Sequence, residues 1–103
     1  MIQHDPKLVE IVRLIVDAVH PTRIYLFGSR ARGDKREDSD YDLLLIYDGP
    51  LDKREVKINV RRALPSDISF DIFTLSSYEM ERYKHVATTL QREVSQNGKV
   101  IYG

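Results

Sequence analysis

The chain is expected to fold as an α+β domain, a small mixed β-sheet of three to four strands packed with helices. Three observations predict this. Apolar residues at helical spacing alternate along the chain with short runs rich in β-branched and aromatic residues. Capping and breaking residues stand at the segment ends, where a change of element would need them. The length, 103 residues, lets a chain bury roughly 65% of its unfolded surface, enough for one modest core. Residues 1–103 are therefore read as a single domain.

Asp5-Pro6 supplies an N-cap followed by proline at the first helical position. Leu8, Ile11, Val12, Ile15, Ala18 and Val19 follow at helical spacing, and the helix should end near His20-Pro21. Arg23 to Phe27, RIYLF, reads as a strand stopped by Gly28. Leu43 to Tyr47, LLLIY, is a second strand that starts a residue or two earlier, at the aspartates. Asp48-Gly49-Pro50 forms a turn. Asp52 with Glu55 fits a capping-box pattern, and Val56, Val60, Ala63 and Leu64 continue a helix that Pro65 ends.

Ser69 to Leu75, SFDIFTL, alternates as a third strand. Ser76 with Glu79 is a Ser-x-x-Glu capping box opening a short helix. Val86, Leu90 and Val94 mark a last helix that closes at Asn97-Gly98, and Val100-Ile101-Tyr102 forms a short final strand.

Composition narrows the function. Hydrophobic residues make up 42% and charged residues 31%, the balance of a soluble globular protein. Lys plus Arg and Asp plus Glu both number 16. Zero net charge argues against a standing nucleic-acid binder, so no direct nucleic-acid partner is expected. Without cysteine there is no disulfide, zinc–thiolate site or thiol nucleophile. The opening MIQHDPKLVE is too polar for a signal peptide, and no apolar run approaches the ~20 residues of a membrane span. A cytoplasmic protein with no membrane partner is the expectation.

The chemistry gathers around three carboxylates. Side chains alternate along a strand, so Asp40 and Asp42 share a face if the strand includes both. Two neighbouring carboxylates repel, and a divalent cation with hard-oxygen preference, such as Mg²⁺, relieves that repulsion. The competing reading of a bare DxD is a solvated acidic turn. Asp71 adds weight, because it stands between Phe70 and Ile72 where strand composition disfavours charge. Its own competing reading is an edge strand with a wet polar face. Three such carboxylates would suit metal-assisted phosphoryl or nucleotidyl chemistry. Gly28 permits a tight turn and close approach to a ligand, and Ser29 would begin a helical turn through Arg32 with N–H groups open to phosphate. Arg30 and Arg32 are candidates for phosphate contact, or else belong to a charged loop with Glu37 and Asp38. Lys53, Lys57 and Arg61 recur at helical spacing as a solvent face. His4, His20 and His85 have no ligand-like spacing.

Gly28-Ser29, ten residues, then Asp40-x-Asp42 resembles the G-S-x10-D-x-D signature of the DNA polymerase β-like nucleotidyltransferase superfamily. The wording FGSRARGDKREDSDYDLLL is similar to its minimal MNT branch, and Asp71 falls where that family carries its third carboxylate. The motif-bearing match runs from Ile24 to Leu75, about half the chain. The resemblance implies the nucleotidyltransferase fold. It implies that Asp40, Asp42 and Asp71 are catalytic and hold two Mg²⁺ ions, and that Gly28 and Ser29 hold the β/γ-phosphates of a nucleoside triphosphate. Asp71 would help deprotonate the attacking hydroxyl.

The MNT branch resembles one half of a pair whose other member is an all-helical HEPN protein. The resemblance then implies a protein adenylyltransferase with ATP as donor. It would act as the antitoxin of a toxin–antitoxin pair by placing AMP on a tyrosine of the HEPN toxin, in a hetero-oligomer. Two alternatives stay open: a non-catalytic module that masks its partner, and nucleotidyl transfer to a small molecule such as an aminoglycoside.

Overall fold

The computed structural model describes residues 5–28, 30, 31 and 40–103. Helix α1, Pro6–Val19, begins as its sequence requires: the Asp5 carboxylate accepts the Leu8 N–H at 3.1 Å, and proline stands at the first position. It stops at His20, which is left-handed at φ 49° and donates its N–H to the Val16 carbonyl. Strand β1, Arg23–Phe27, and strand β2, Tyr41–Tyr47, pair antiparallel. Helix α2, Lys53–Ala63, starts on the Asp52 carboxylate and crosses over to strand β3, Phe70–Ser76, which runs parallel to β2.

Helix α3, Ser77–Tyr83, opens with the complete capping box. Ser76 Oγ accepts the Glu79 N–H, and the Glu79 carboxylate accepts the Ser76 N–H, each at 3.0 Å. Those bonds, with Lys53 Nζ at 3.1 Å, hold the Glu79 carboxyl below its ordinary range and tie α2 to α3. Helix α4, Leu90–Asn97, leads to strand β4, Lys99–Tyr102, antiparallel to β1. The sheet order is β3-β2-β1-β4, a four-stranded mixed sheet, as the sequence predicts.

The last helix departs from expectation at both ends. Val86 is excluded from it and half exposed, because Thr89 takes the N-cap by accepting the Arg92 N–H. Gly98 ends it in extended rather than left-handed backbone. Glycine is needed there for space, since a Cβ would stand 2.6 Å from the Val94 carbonyl oxygen.

Alternation along β2 divides the interior in two. Tyr41, Leu43 and Leu45 face α1 and α2, where they pack with Leu8, Ile11, Ile15, Ile24 and Val60. Leu44 and Ile46 face α3 and α4, packing with Phe27, Leu75, Met80 and Val94. Covered on both faces and paired on both edges, β2 reads as a continuous apolar run after Asp42. Asp42, near the start of the strand, lies at the rim of the sheet and is only half-buried.

Candidate active site

One edge of the sheet gathers the polar residues. There β1 leaves and β2 and β3 enter, and the register sets Phe27, Asp42 and Asp71 in a single row across three strands. Directly opposed residues share a face, and neighbouring strands lie about 4.8 Å apart, so the Asp42 and Asp71 carboxylates are side by side on the α3/α4 face. Asp42 is half-buried and Asp71 exposed. Asp71 thus lies on an edge strand with a wet face, and not among the apolar side chains that Phe70 and Ile72 suggest.

Asp40 lies one residue outside β2. Pairing with the β3 side begins at Tyr41, whose N–H donates to the Ser69 carbonyl at 3.1 Å, and the Ser69 hydroxyl donates to the Asp40 carboxylate. Among the described residues no three His, Cys, Asp or Glu side chains are drawn to one point. Asp40 is held by Ser69 while Asp42 and Asp71 form the adjacent pair.

Gly28 closes the row on the β1 side. Its φ is +75°, a conformation that side-chain-bearing residues seldom adopt. A Cβ built there would stand 2.2 Å from Asp42 Oδ2, so the turn's backbone lies against the carboxylate itself. Past the turn, Ala31 is buried in the α1/α2 core. The Arg30 guanidinium rests 3.9 Å over the Tyr41 ring. Tyr41 in turn donates its hydroxyl to Asp5 at 3.4 Å, and burial, then the Asp5 charge, pushes its pKa up. Arg30 therefore fastens the turn to β2 through Tyr41, whose ring occupies the opposite face from Asp42. Ser29 and Arg32 lie outside the described residues.

The donor set is all hard oxygen, which fits a divalent cation such as Mg²⁺. Asp42 and Asp71 stand in one row, and the missing Cβ at Gly28 makes room for the Asp42 carboxylate beside the turn. Shape alone marks a different place: a hollow walled by His20, Tyr47 and Asp52 lies at the other end of β2, between α1 and α2, away from the carboxylates. Lys53, Lys57 and Arg61 are exposed, the solvent face expected of them. Sequence reasoning missed Ser69 as the holder of Asp40, Tyr41 as the seat of Arg30, and an aromatic pair beside the row. Phe27 and Phe73 have ring centroids 5.5 Å apart. The signal for Phe73 was present, since it stands two residues beyond Asp71 and so shares its face.

Known proteins share this fold. The chain is 26% identical to a crystallised toxin–antitoxin with AMP-PNP, with a TM-score of 0.63 over 92% of this chain and 72% of that one. It is 25% identical to a chain of a Shewanella oneidensis complex, a tri-AMPylated HEPN toxin with its MNT antitoxin, with a TM-score of 0.60 over 100% of this chain and 73% of that one. A search of curated proteins found no match. The family model described as "Polymerase beta, Nucleotidyltransferase" matches residues 10–103. That span holds the Gly28 turn, both strands carrying the aspartates and all but the first turn of α1 among the elements packed around them, so the chain belongs to the polymerase β nucleotidyltransferase family.

Proposed function

We propose that the chain transfers AMP from ATP to a tyrosine hydroxyl of a HEPN toxin, with which it assembles as the antitoxin of the pair. The observation that carries this reading is the contact between the Gly28 backbone and the Asp42 carboxylate, which sets a phosphate-accepting turn against a cation-binding side chain. Family membership supports the reaction class. The toxin–antitoxin bound to AMP-PNP and the AMPylated HEPN complex, both similar to this chain, support the donor and the acceptor.

In this reading Gly28 and Ser29 hold the β/γ-phosphates, the glycine by letting the chain turn at φ +75°. Arg30 keeps that turn seated on Tyr41, and Arg32, two residues on in the sequence, adds positive charge. Asp40, Asp42 and Asp71 would hold two Mg²⁺ ions, which when bound supply charge neutralisation at the α-phosphate and at departing pyrophosphate. Ser69 fixes the Asp40 carboxylate. Asp71, exposed on the outermost strand, meets the incoming phenolic hydroxyl and accepts its proton. The phenolic oxygen forms a bond to the α-phosphorus as the bond from that phosphorus to the β-phosphate bridging oxygen breaks. AMP remains on the acceptor and pyrophosphate leaves.

Label transfer tests this. The protein is incubated with Mg²⁺, source-cell extract and ATP labelled at the α- or the γ-phosphate, beside an Asp40→Asn/Asp42→Asn variant. The expected result is a protein band labelled from the α-position only and lost in the variant. Label from the γ-position would make it a kinase. A partner captured without label would make it a masking module.

A further inference from the structure

Phe73 is where the site's apolar lining meets solvent. It stands two residues after Asp71 on edge strand β3, on the same face, about 6.6 Å further along. The next residue on that face, Leu75, is buried with Met80 of α3 and Val94 of α4, whereas Phe73 remains 36% exposed. Its ring is not loose. Phe27, itself buried in the row with Asp42, lies against it at 5.5 Å with the planes inclined by 60°. The ring is thus braced by Phe27 and partly open to solvent, on the same face of the strand as Asp71.

The order of strands assigns the occupant. The Gly28 turn is on β1, Asp42 on β2 and Asp71 on β3, so the site runs from a phosphate side to an outer side. A triphosphate held at the β1 end leaves the β3 end for the group that attacks. We infer that Phe73 is the platform for the acceptor's ring, selecting a phenolic hydroxyl over an aliphatic one; this rests on the transferase reading above. A phenol stacked on Phe73 at the usual 4.5–7 Å between centroids presents its hydroxyl toward Asp71, one strand repeat away. A serine hydroxyl has no ring to stack and gains nothing from the platform.

The test uses N-acetyl-tyrosinamide and N-acetyl-serinamide as acceptors, with α-labelled ATP and Mg²⁺. It compares the wild-type protein with Phe73→Leu, which keeps an apolar side chain over Phe27, and Phe73→Trp, which keeps an aromatic face. The expected result is that Phe73→Leu raises KM for tyrosinamide about 3- to 10-fold, the range of one aromatic pair. KM for ATP and transfer to serinamide should not change, and Phe73→Trp should restore tyrosinamide use. Label on either acceptor with no such split between them overturns the inference and leaves the transferase reading standing. A rise in KM for ATP instead makes Phe73 a donor-base platform and overturns it as well. No label on tyrosinamide from a wild-type protein that still labels its protein acceptor in extract overturns the inference and leaves the transferase reading standing, whereas no label on any acceptor, the extract protein included, overturns both.

Discussion

Gly28 and Asp42 leave no room for a side chain between them: a Cβ on Gly28 would stand 2.2 Å from Asp42 Oδ2 and 3.1 Å from its Cγ. Real Cβ atoms do not approach a carboxylate so closely, so position 28 is closed to every residue but glycine unless Asp42 moves. The φ of +75° adds a second barrier on the backbone. Close approach and unusual φ are separate demands, and the same residue meets both.

Gly28→Ala therefore should injure both folding and function. Left-handed backbone on a non-glycine residue costs about 1–2 kcal/mol, and displacing the carboxylate adds to it, so urea unfolding should show a loss of about 1–3 kcal/mol. Nucleotidyl transfer should fall by about 100-fold or more, because a carboxylate moved by an ångström no longer meets its ligand correctly. Unchanged label transfer by a folded Gly28→Ala protein would remove the turn from the site.

Asp42 and Asp71 predict an inversion of stability. As like charges in one row of the β2–β3 ladder they oppose each other in the absence of cations. Asp71→Asn should then leave the ion-free protein as stable as wild type or more so, by about 0.5 kcal/mol. With Mg²⁺ and ATP at a hundredfold excess over their dissociation constant, the wild-type protein should gain about 2.7 kcal/mol, and Asp71→Asn distinctly less. Thermal unfolding of both proteins with and without Mg²⁺–ATP checks this. An equal gain in the variant would take Asp71 out of the binding site.

Much of the fold was legible because local rules and global fold agree. Asp5-Pro6, Asp52 and Ser76-x-x-Glu79 begin helices as their chemistry demands, and the apolar run after Asp42 is buried on both faces. Gly28, Asp40 and Asp42 are singled out by the spacing of the family signature, which no propensity rule supplies. Pairing across strands was harder to see. Nothing within SFDIFTL says that β3 lies parallel beside β2 with Asp71 opposite Asp42, or that Phe73 meets Phe27 from two strands away. Ser69 holding Asp40 depends on the same register. The error at Val86 has the opposite origin: its spacing to Leu90 and Val94 is helical, but the hydroxyl of Thr89 captures the Arg92 N–H and starts the helix after it.

The final prediction concerns the far end of β2, where Tyr47 fastens the sheet to α1. Its hydroxyl donates to the Val19 carbonyl at 2.9 Å, satisfying a helix-terminal acceptor. Burial pushes its pKa up to about 12. In the unfolded chain the phenol ionises near pH 10. Below that pH both states hold the proton and the full stability is present. Between pH 10 and 12 the unfolded state sheds its proton while the folded state keeps it, so stability must fall as pH rises, until the folded phenol ionises too. Two pH units correspond to at most about 2.7 kcal/mol, and residual solvent contact reduces this to about 1–2 kcal/mol. Tyr47→Phe should cost about 1 kcal/mol at pH 8 through the lost hydrogen bond. Its urea midpoint should then decline less steeply from pH 10 to 11 than that of the wild-type protein, and nucleotidyl transfer at pH 8 should be unaltered because the aspartates lie at the other end of the strand. Parallel alkaline decline in the two proteins would assign that limb to other groups, Tyr41 first among them, since its pKa is also raised by burial.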